Sequence, residues 1–335
     1  VGEVYYPSGD SQLAWIRWTT PEQPQTMTMT VRVRGGGGTS KGTLHIKVVD
    51  LDENPPPDPN ADDRNDGFTR PSVPSNAEVT FASWGVDFLK YDYCYHSNII
   101  PGKYLYRRMG IALENCGRDI LFSACSWGAD QTHEWIKETG ASMWRSTGDI
   151  FDSWESIKDL TKQQAKLHPY HSVGCFNDMD MLVVGMYGKG NVGLSGCNDV
   201  QYRTHYSIWA LFGSPLMIGC DIRNMNEETK KILENKELIA INQDPLCRQP
   251  IRLDGIWSGD DVLIYSRQLS NGDLAIGFFN LKDESVVANL NLDEVGLPMS
   301  TGKTLQMKEV WTGEDLPSLN GTVRKALEPY GCAVY

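Results

Sequence analysis

The sequence predicts an α/β protein in three parts: an N-terminal β-rich segment, a run of parallel β/α units, and a C-terminal antiparallel β domain. Three observations carry this. From Ala77 to about Asp244 short apolar runs alternate with amphipathic stretches, which is how parallel β/α units read. On both sides of that region the hydrophobic period is two rather than three to four. A chain of 335 residues, 40% of them hydrophobic, can bury cores for two or three domains.

Taken in order, Thr26 to Arg34 alternates polar and apolar side chains, as does Leu44 to Val48, with Gly35 to Gly38 between them; the pair reads as a hairpin. Asp50 to Pro74 is rich in Pro, Asp and Asn and reads as a long loop, so a boundary is expected near Ser75 and residues 1–75 form a separate β-rich segment. Five β/α units follow in residues 76–248, with strands at Val86 to Asp92, Asp119 to Ser126, Ser142 to Ile150, Val173 to Val184 and Ser214 to Asp221. The helix at Ser153 to Leu167 places Trp154, Ile157 and Leu160 on one face. In residues 249–335, Asp261 to Arg267, Leu274 to Asn280, Val286 to Leu292 and Lys308 to Thr312 read as strands, with a hairpin turn at Ser270-Asn271-Gly272-Asp273.

Charge narrows the partners. Lys plus Arg number 31 against 43 Asp plus Glu, a net charge of −12, which repels phosphate backbones and anionic headgroups; neither nucleic acid nor a membrane surface is expected to bind. No apolar run approaches the roughly 18 to 20 residues of a membrane-spanning helix. Ten Trp and 14 Tyr suit stacking on sugar rings, although core packing accounts for most such surpluses. The eight cysteines form no CxxC pair, and the six histidines, His168 and His171 among them, show no HExxH or paired spacing, so no metal or other cofactor is expected. Asp58, Asn60 and Asp62 alternate like a calcium loop, but Asp63 stands where the turn glycine belongs and Thr69 where the bidentate Glu belongs; this reads as a solvated acidic loop. The chain begins at Val1 with no charged-then-apolar leader, so either a signal peptide has been removed or the start is missing, and the compartment is open.

In parallel β/α folds the chemistry sits at the carboxyl ends of the strands, and here those ends are acidic. Lys90-Tyr91-Asp92 closes one strand, Arg145 to Asp149 another, Asn177-Asp178-Met179-Asp180 interrupts a third and Asp221 closes a fourth. Each acid alone reads as a helix cap or loop acid. Two facing one pocket, one ionised as nucleophile and one protonated as acid, are what retaining glycoside hydrolysis requires, at roughly 5 to 5.5 Å separation. Lys90 lies two residues before Asp92, so both side chains share a strand face and the ammonium favours an ionised Asp92.

The segments Trp84 to Tyr95 (WGVDFLKYDYCY), Trp144 to Trp154 (WRSTGDIFDSW), Asn177 to Gly185 (NDMDMLVVG) and Ile241 to Pro245 (INQDP), in that order, resemble glycoside hydrolase family 27, the α-galactosidases and α-N-acetylgalactosaminidases. The resemblance runs from about Val79 to the C-terminus and implies a (β/α)8 catalytic barrel followed by an antiparallel β-sandwich. It implies Asp92 as nucleophile, Asp149 as acid/base, Lys90 and Arg145 as sugar-hydroxyl contacts, and Asp180 with Met181 as lining of the sugar site. Ser126 and Ala129 match the loop that meets the sugar's 2-substituent, where small residues resemble the N-acetylgalactosamine enzymes; Trp127 beside them either stacks on a sugar or packs the loop. The implied substrate is an α-galactoside oligosaccharide or glycan.

The sequence departs from the family in one large respect. Three further β/α units precede the nucleophile strand in the family, and nothing in Val1 to Asn76 resembles them. Five units cannot close an eight-stranded barrel, and open strands leave backbone groups unpaired. The chain is then part of a larger protein, or another segment or a second subunit completes the sheet, or the fold is incomplete and inactive. The family cysteine that Cys94 resembles pairs with one in the absent part, so Cys94 is expected as a free thiol unless it has found another partner. The rival reading from a different class is a carbohydrate-binding protein derived from this fold; the retained Asp92 and Asp149 argue for an enzyme.

Overall fold

The computed structural model describes residues 3–5, 15–17, 25–35, 38–48, 77–96, 99–253 and 259–335, with side chains from residue 80 onward. The chain divides into two units, Val1–Ser72 and Val73–Tyr335. In the first, β1 (Glu3–Tyr5) pairs antiparallel with β2 (Trp15–Arg17), and β3 (Gln25–Gly35) pairs with β4 (Gly38–Val48) in an unbroken register from Gln25↔Val48 to Gly35↔Gly38. The alternation in Thr26 to Arg34 therefore makes the expected hairpin. The acidic stretch at Asp58 to Thr69 lies outside the described residues.

The second unit opens with α1 (Ala77–Ser83) and then builds a parallel sheet in strand order β5 (Phe88–Asp92), β6 (Leu121–Cys125), β7 (Met143–Arg145), β8 (Phe176–Asp178). Between them run α2 (Gly102–Glu114), the short α3 (Thr132–Trp135) and α4 (Trp154–Gln164); α5 (Asp199–Phe212), α6 (Glu227–Leu233) and α7 (Lys236–Asn242) follow. Each α4 and α5 start has a physical cause. Ser153 accepts the Ser156 N–H, and Asn198 with Gln201 forms a reciprocal capping box. Trp154, Ile157 and Leu160 are all buried, as their spacing predicts.

Several strands are shorter than the apolar runs imply. The third stops at Arg145, whose guanidinium turns back to bond the carbonyls of Thr147 (3.3 Å) and Gly148 (2.7 Å) and so curls the chain off the sheet. The fourth stops at Asp178, because Asp180 sits at φ 82° and reverses the backbone. The expected strand at Ser214 to Asp221 reduces to a single parallel bridge, Leu182↔Ile218. Four strands and a bridge thus stand for the five units.

β9 (Ile251–Arg252), β10 (Val262–Gln268), β11 (Leu274–Asn280) and β16 (Cys332–Val334) form one antiparallel sheet of the C-terminal part; β12 (Val286–Asn291) pairs with β15 (Thr322–Leu327), and β13 (Leu305–Lys308) with β14 (Asp315–Leu319). The β10–β11 turn is the expected one: Asn271 Oδ1 accepts the Asp273 N–H and Gly272 takes φ 92°. One expected strand is corrected. Only Lys308 of the expected Lys308 to Thr312 strand is in one, ending β13; the chain then turns, because Glu309 Oε2 accepts the N–H groups of both Trp311 (2.8 Å) and Thr312 (2.6 Å).

β10 and β11 are buried on both faces. Leu263, Tyr265, Ala275 and Phe279 face the core of α4 and α5, with Trp154, Ile157, Trp209 and Phe212; Val262, Ile264, Ile276 and Phe278 face Ala288, Leu290, Val323 and Leu327 across the sandwich. Trp154 Nε1 donates to the Leu281 carbonyl at 3.1 Å. Buried Arg267, on β10, donates to the carbonyls of Ala210 (3.2 Å), which also accepts the Gly213 N–H, and Leu211 (2.9 Å) at the end of α5. Among the described residues no helix is long and apolar enough to cross a membrane.

One close approach fixes α2. A Cβ at buried Gly110 would lie 1.8 Å from the Thr139 carbonyl oxygen, a backbone atom with nowhere to go. Gly110→Ala is expected to lower stability by about 3 kcal/mol, read as the urea midpoint at pH 7; an unchanged midpoint would mean that α2 does not press on residue 139.

Candidate active site

The register across the parallel sheet decides which side chains meet. Asp92 pairs with Cys125, and Arg145 with Asp178, so four polar residues end the four strands on one side of the sheet. The alternate residues Leu89, Tyr91, Phe122, Ala124 and Trp144 pack with Tyr106 of α2. Because β5 is the sheet's edge, Phe88, Lys90 and Asp92 are exposed; Phe88 keeps 39% of its surface and neighbouring Leu121 42%. A closed barrel would bury this face.

Arg145 is the hub, with 1% of its surface exposed. Nη1 reaches Asp180 Oδ1 at 3.0 Å and Nη2 reaches Asp149 Oδ1 at 2.9 Å. Asp180 is held from three sides: its Oδ2 accepts the Ile150 N–H (2.8 Å), its own N–H donates to Asp178 Oδ1 (2.9 Å), and its carbonyl accepts Trp209 Nε1 (2.7 Å). This explains how a non-glycine residue holds a left-handed backbone there. Asp178 is buried, and burial pushes its carboxyl up to about 6 against the pull of Arg145.

Of the residues expected at the site, Asp92, Asp149, Lys90, Arg145 and Asp180 gather at the carboxyl edge. Asp149 is well exposed, its side chain retaining 63% of its surface. Cys125 registers the gathering electrostatically: burial pushes its thiol up to about 11, Lys90 and Arg145 pull it down, and Asp92 and Asp149 both push it up. Met181 packs on the core beside Gly219, where a Cβ would come within 3.0 Å of its Sδ. Ser126 is fully buried and its hydroxyl accepts from Thr132 Oγ1 at 2.8 Å, whereas Ala129 is exposed. Asp221 stands apart: it caps the turn at Ile222–Asn224 and pairs with Arg223, which holds its carboxyl well below the usual range. All eight cysteines are free thiols, Cys94 exposed among them. Among the described residues no three His, Cys, Asp or Glu side chains are grouped to hold a metal ion.

Sequence reasoning named Asp178 among the strand-end acids without a role for it, and gave none to Tyr93. The two-residue spacing of Asp178 and Asp180 was a usable signal for the first. Nothing local signals the second, since its partner Asp130 lies 37 residues away.

The second unit thus sets a parallel β/α sheet, with acids and their cations on its carboxyl edge, against a C-terminal antiparallel β region. Residues 72–244 match the family described as Alpha galactosidase A, and residues 259–335 match the Alpha galactosidase C-terminal beta sandwich domain. The chain belongs to this α-galactosidase family, glycoside hydrolase family 27. Residues 1–50 match a domain of unknown function. The chain is similar to alpha-galactosidase 3 of Arabidopsis thaliana, 37% identical over 256 residues, covering 76% of this chain and 56% of the relative. It is also similar to the alpha-N-acetylgalactosaminidase of Gallus gallus, 34% identical over 265 residues, covering 76% of this chain and 62% of the relative. In structure it is similar to alpha-galactosidase I from Mortierella vinacea, with a TM-score of 0.69 and 28% identity, covering 77% of this chain and 69% of that one. The chain spans little more than half the length of the first curated relatives it matches.

Proposed function

We propose that the chain carries the catalytic residues of a retaining α-galactosidase that removes terminal α-galactosyl groups from oligosaccharides, once further β/α units close the sheet along the open edge of β5. The observation that carries this is that Asp92 closes β5 and Asp149, bonded by Arg145, follows β7 at the same carboxyl edge of the parallel sheet, with β6 and its buried Cys125 between them. Asp92 attacks the anomeric carbon while Asp149 gives its proton to the leaving oxygen; the resulting glycosyl-enzyme is opened by water whose proton Asp149 takes, and the sugar leaves with configuration retained. Lys90 and Arg145 offer cationic donors to sugar hydroxyls, and Asp180 with Met181 lines the sugar site, Asp180 also holding Arg145 in place. The closing units come from a further segment of the polypeptide or from a second subunit.

The test is release of p-nitrophenol from α-galactoside and α-N-acetylgalactosaminide by the purified chain, alone and with the three preceding β/α units of a relative supplied. Hydrolysis in the second arm supports the proposal. Sugar binding without hydrolysis in either arm makes the chain a carbohydrate-binding protein instead.

A second reading, α-N-acetylgalactosaminidase, is favoured by the small side chains at Ser126 and Ala129, which leave room for an acetamido group. The combined change Ser126→Glu and Ala129→Leu is then expected to lower the ratio of N-acetylgalactosaminide to galactoside activity by about tenfold or more, the scale on which steric pocket changes act. Ser126→Glu must also displace the Thr132 hydroxyl, so Ala129→Leu alone is the cleaner arm. An unchanged ratio would show that this loop does not set specificity.

A further inference from the structure

We propose that Tyr93 and Asp130 form a latch that positions Asp92, leaving Oδ2 as its attacking oxygen; this rests on reading Asp92 as the nucleophile. Asp92 Oδ1 accepts the Tyr93 N–H at 2.7 Å and the Cys94 thiol at 3.6 Å. Both bonds fall on one oxygen, which leaves the other for attack in this proposal. The amide that orients the carboxylate is only as fixed as Tyr93, and Tyr93 is fixed three times over. Its ring is buried, stacks on His96 with centroids 3.7 Å apart and planes 8° apart, and tilts against Tyr106 at 5.6 Å. Its hydroxyl donates to Asp130 Oδ2.

Asp130 is the unusual end of the latch. It takes φ 52°, between Trp127 at 55° and Gln131 at 51°, three non-glycine residues in the left-handed region within one loop. Such backbone costs on the order of 1 to 3 kcal/mol per residue and persists where surroundings hold it. Here Tyr93 holds the carboxylate and Trp135 Nε1 donates to the Asp130 carbonyl at 2.7 Å. The start of α2 closes over the pair: a Cβ on Gly102 would come within 2.7 Å of the Tyr93 hydroxyl and 3.2 Å of Asp130 Oδ2, so only glycine admits the approach. The positive end of this 13-residue helix favours the Asp130 carboxylate. Burial and Asp130 push the Tyr93 hydroxyl upward, so it remains a donor. Because Ser126 and Ala129 lie in the same loop, the bond that orients the nucleophile also sets the loop facing the sugar's 2-substituent.

Cys94 reports the latch without catalysis. Its exposed thiol lies beside Asp92, and local desolvation, then the Asp92 and Asp149 carboxylates, raise it above the ordinary thiol range. Alkylation of Cys94 by iodoacetamide, followed peptide by peptide in the full chain, is expected to run about threefold faster at pH 8 in Tyr93→Phe and in Asp130→Ala, because a loosened Asp92 no longer suppresses the thiolate. Asp130→Asn keeps an acceptor for the Tyr93 hydroxyl and is expected to react like the parent. Asp92→Asn, which removes the charge itself, sets the maximum effect. Parent-like rates in both Tyr93→Phe and Asp130→Ala, or no acceleration in Asp92→Asn, overturn the latch. With the barrel completed, Tyr93→Phe is expected to lower kcat about tenfold with KM nearly unchanged, whereas equal loss in Asp130→Asn and Asp130→Ala would overturn it. If Asp92→Asn hydrolyses α-galactoside like the parent, the nucleophile reading fails while the thiol result still stands.

Discussion

In the barrel-complete enzyme, Asp92→Ala is expected to lose on the order of 10⁴-fold or more in turnover and to regain part of it in azide, with inverted product. The alanine leaves a cavity on the face from which Asp92 attacks, and azide entering there displaces the leaving group directly, in one inversion. Asp149→Ala has a different signature. Attack by Asp92 survives on substrates with good leaving groups such as dinitrophenyl α-galactoside, the glycosyl-enzyme accumulates, and azide then gives a retained product. The structure sharpens the contrast, since Arg145 bonds Asp149 and Asp180 together while Asp92 is oriented from β5 and its own following residues. The two carboxylates are built by separate frameworks, and removing one leaves the other in place. Product stereochemistry by NMR decides; the opposite pattern would reverse the roles.

Acid is expected to destabilise the second unit well before its carboxylates are neutralised. His205 is wholly buried, accepts the Val183 N–H through Nε2, and burial holds its ring down to about 3; His171 accepts the Asn177 N–H through Nδ1 and is held to about 4 by burial and the Arg267 charge. Both rings are neutral acceptors in the fold. As pH falls below about 6.5 the unfolded chain takes two protons that the fold refuses, so stability is lost towards acid. Asp178 works the other way, because its carboxyl, raised to about 6, makes the fold relatively more stable as pH falls from 6 towards 4. Two protons outweigh one. The expected net loss between pH 7 and pH 4 is about 3 to 4 kcal/mol, measured as urea midpoints across that range. His205→Gln keeps an acceptor for Val183 and should make the slope shallower; a profile that is flat or rises towards acid would overturn the account.

The polar–apolar alternation from Thr26 to Arg34 became a hairpin and the three-residue spacing in α4 became a buried face, because in both the period follows directly from backbone geometry. The gathering of Lys90, Asp92 and Arg145 was also legible, since carboxyl ends of parallel strands converge. Strand ends were not. The strand expected over Ser142 to Ile150 ends at Arg145, which folds the chain back through its own hydrogen bonds, and Asp180 reverses the next one through a turn closed by Asp178. Glu309 does the same after β13. In each case a polar side chain bonding nearby backbone overrides hydrophobic pattern. The coupling of Tyr93 to Asp130 was invisible for another reason: it joins two loops that meet only once the sheet has formed.

The hydrogen bonds that Arg267 donates to the carbonyls of α5, and the two-sided burial of β10 and β11, carry a consequence for how such a chain can be inherited. A recombination point between the last helix of the β/α region and the sandwich would strip α5 of its terminal donor and uncover Tyr265 and Phe279 at once. Catalytic units and sandwich are therefore expected to travel as one heritable block, while residues 1–50 carry a separate match to a domain of unknown function.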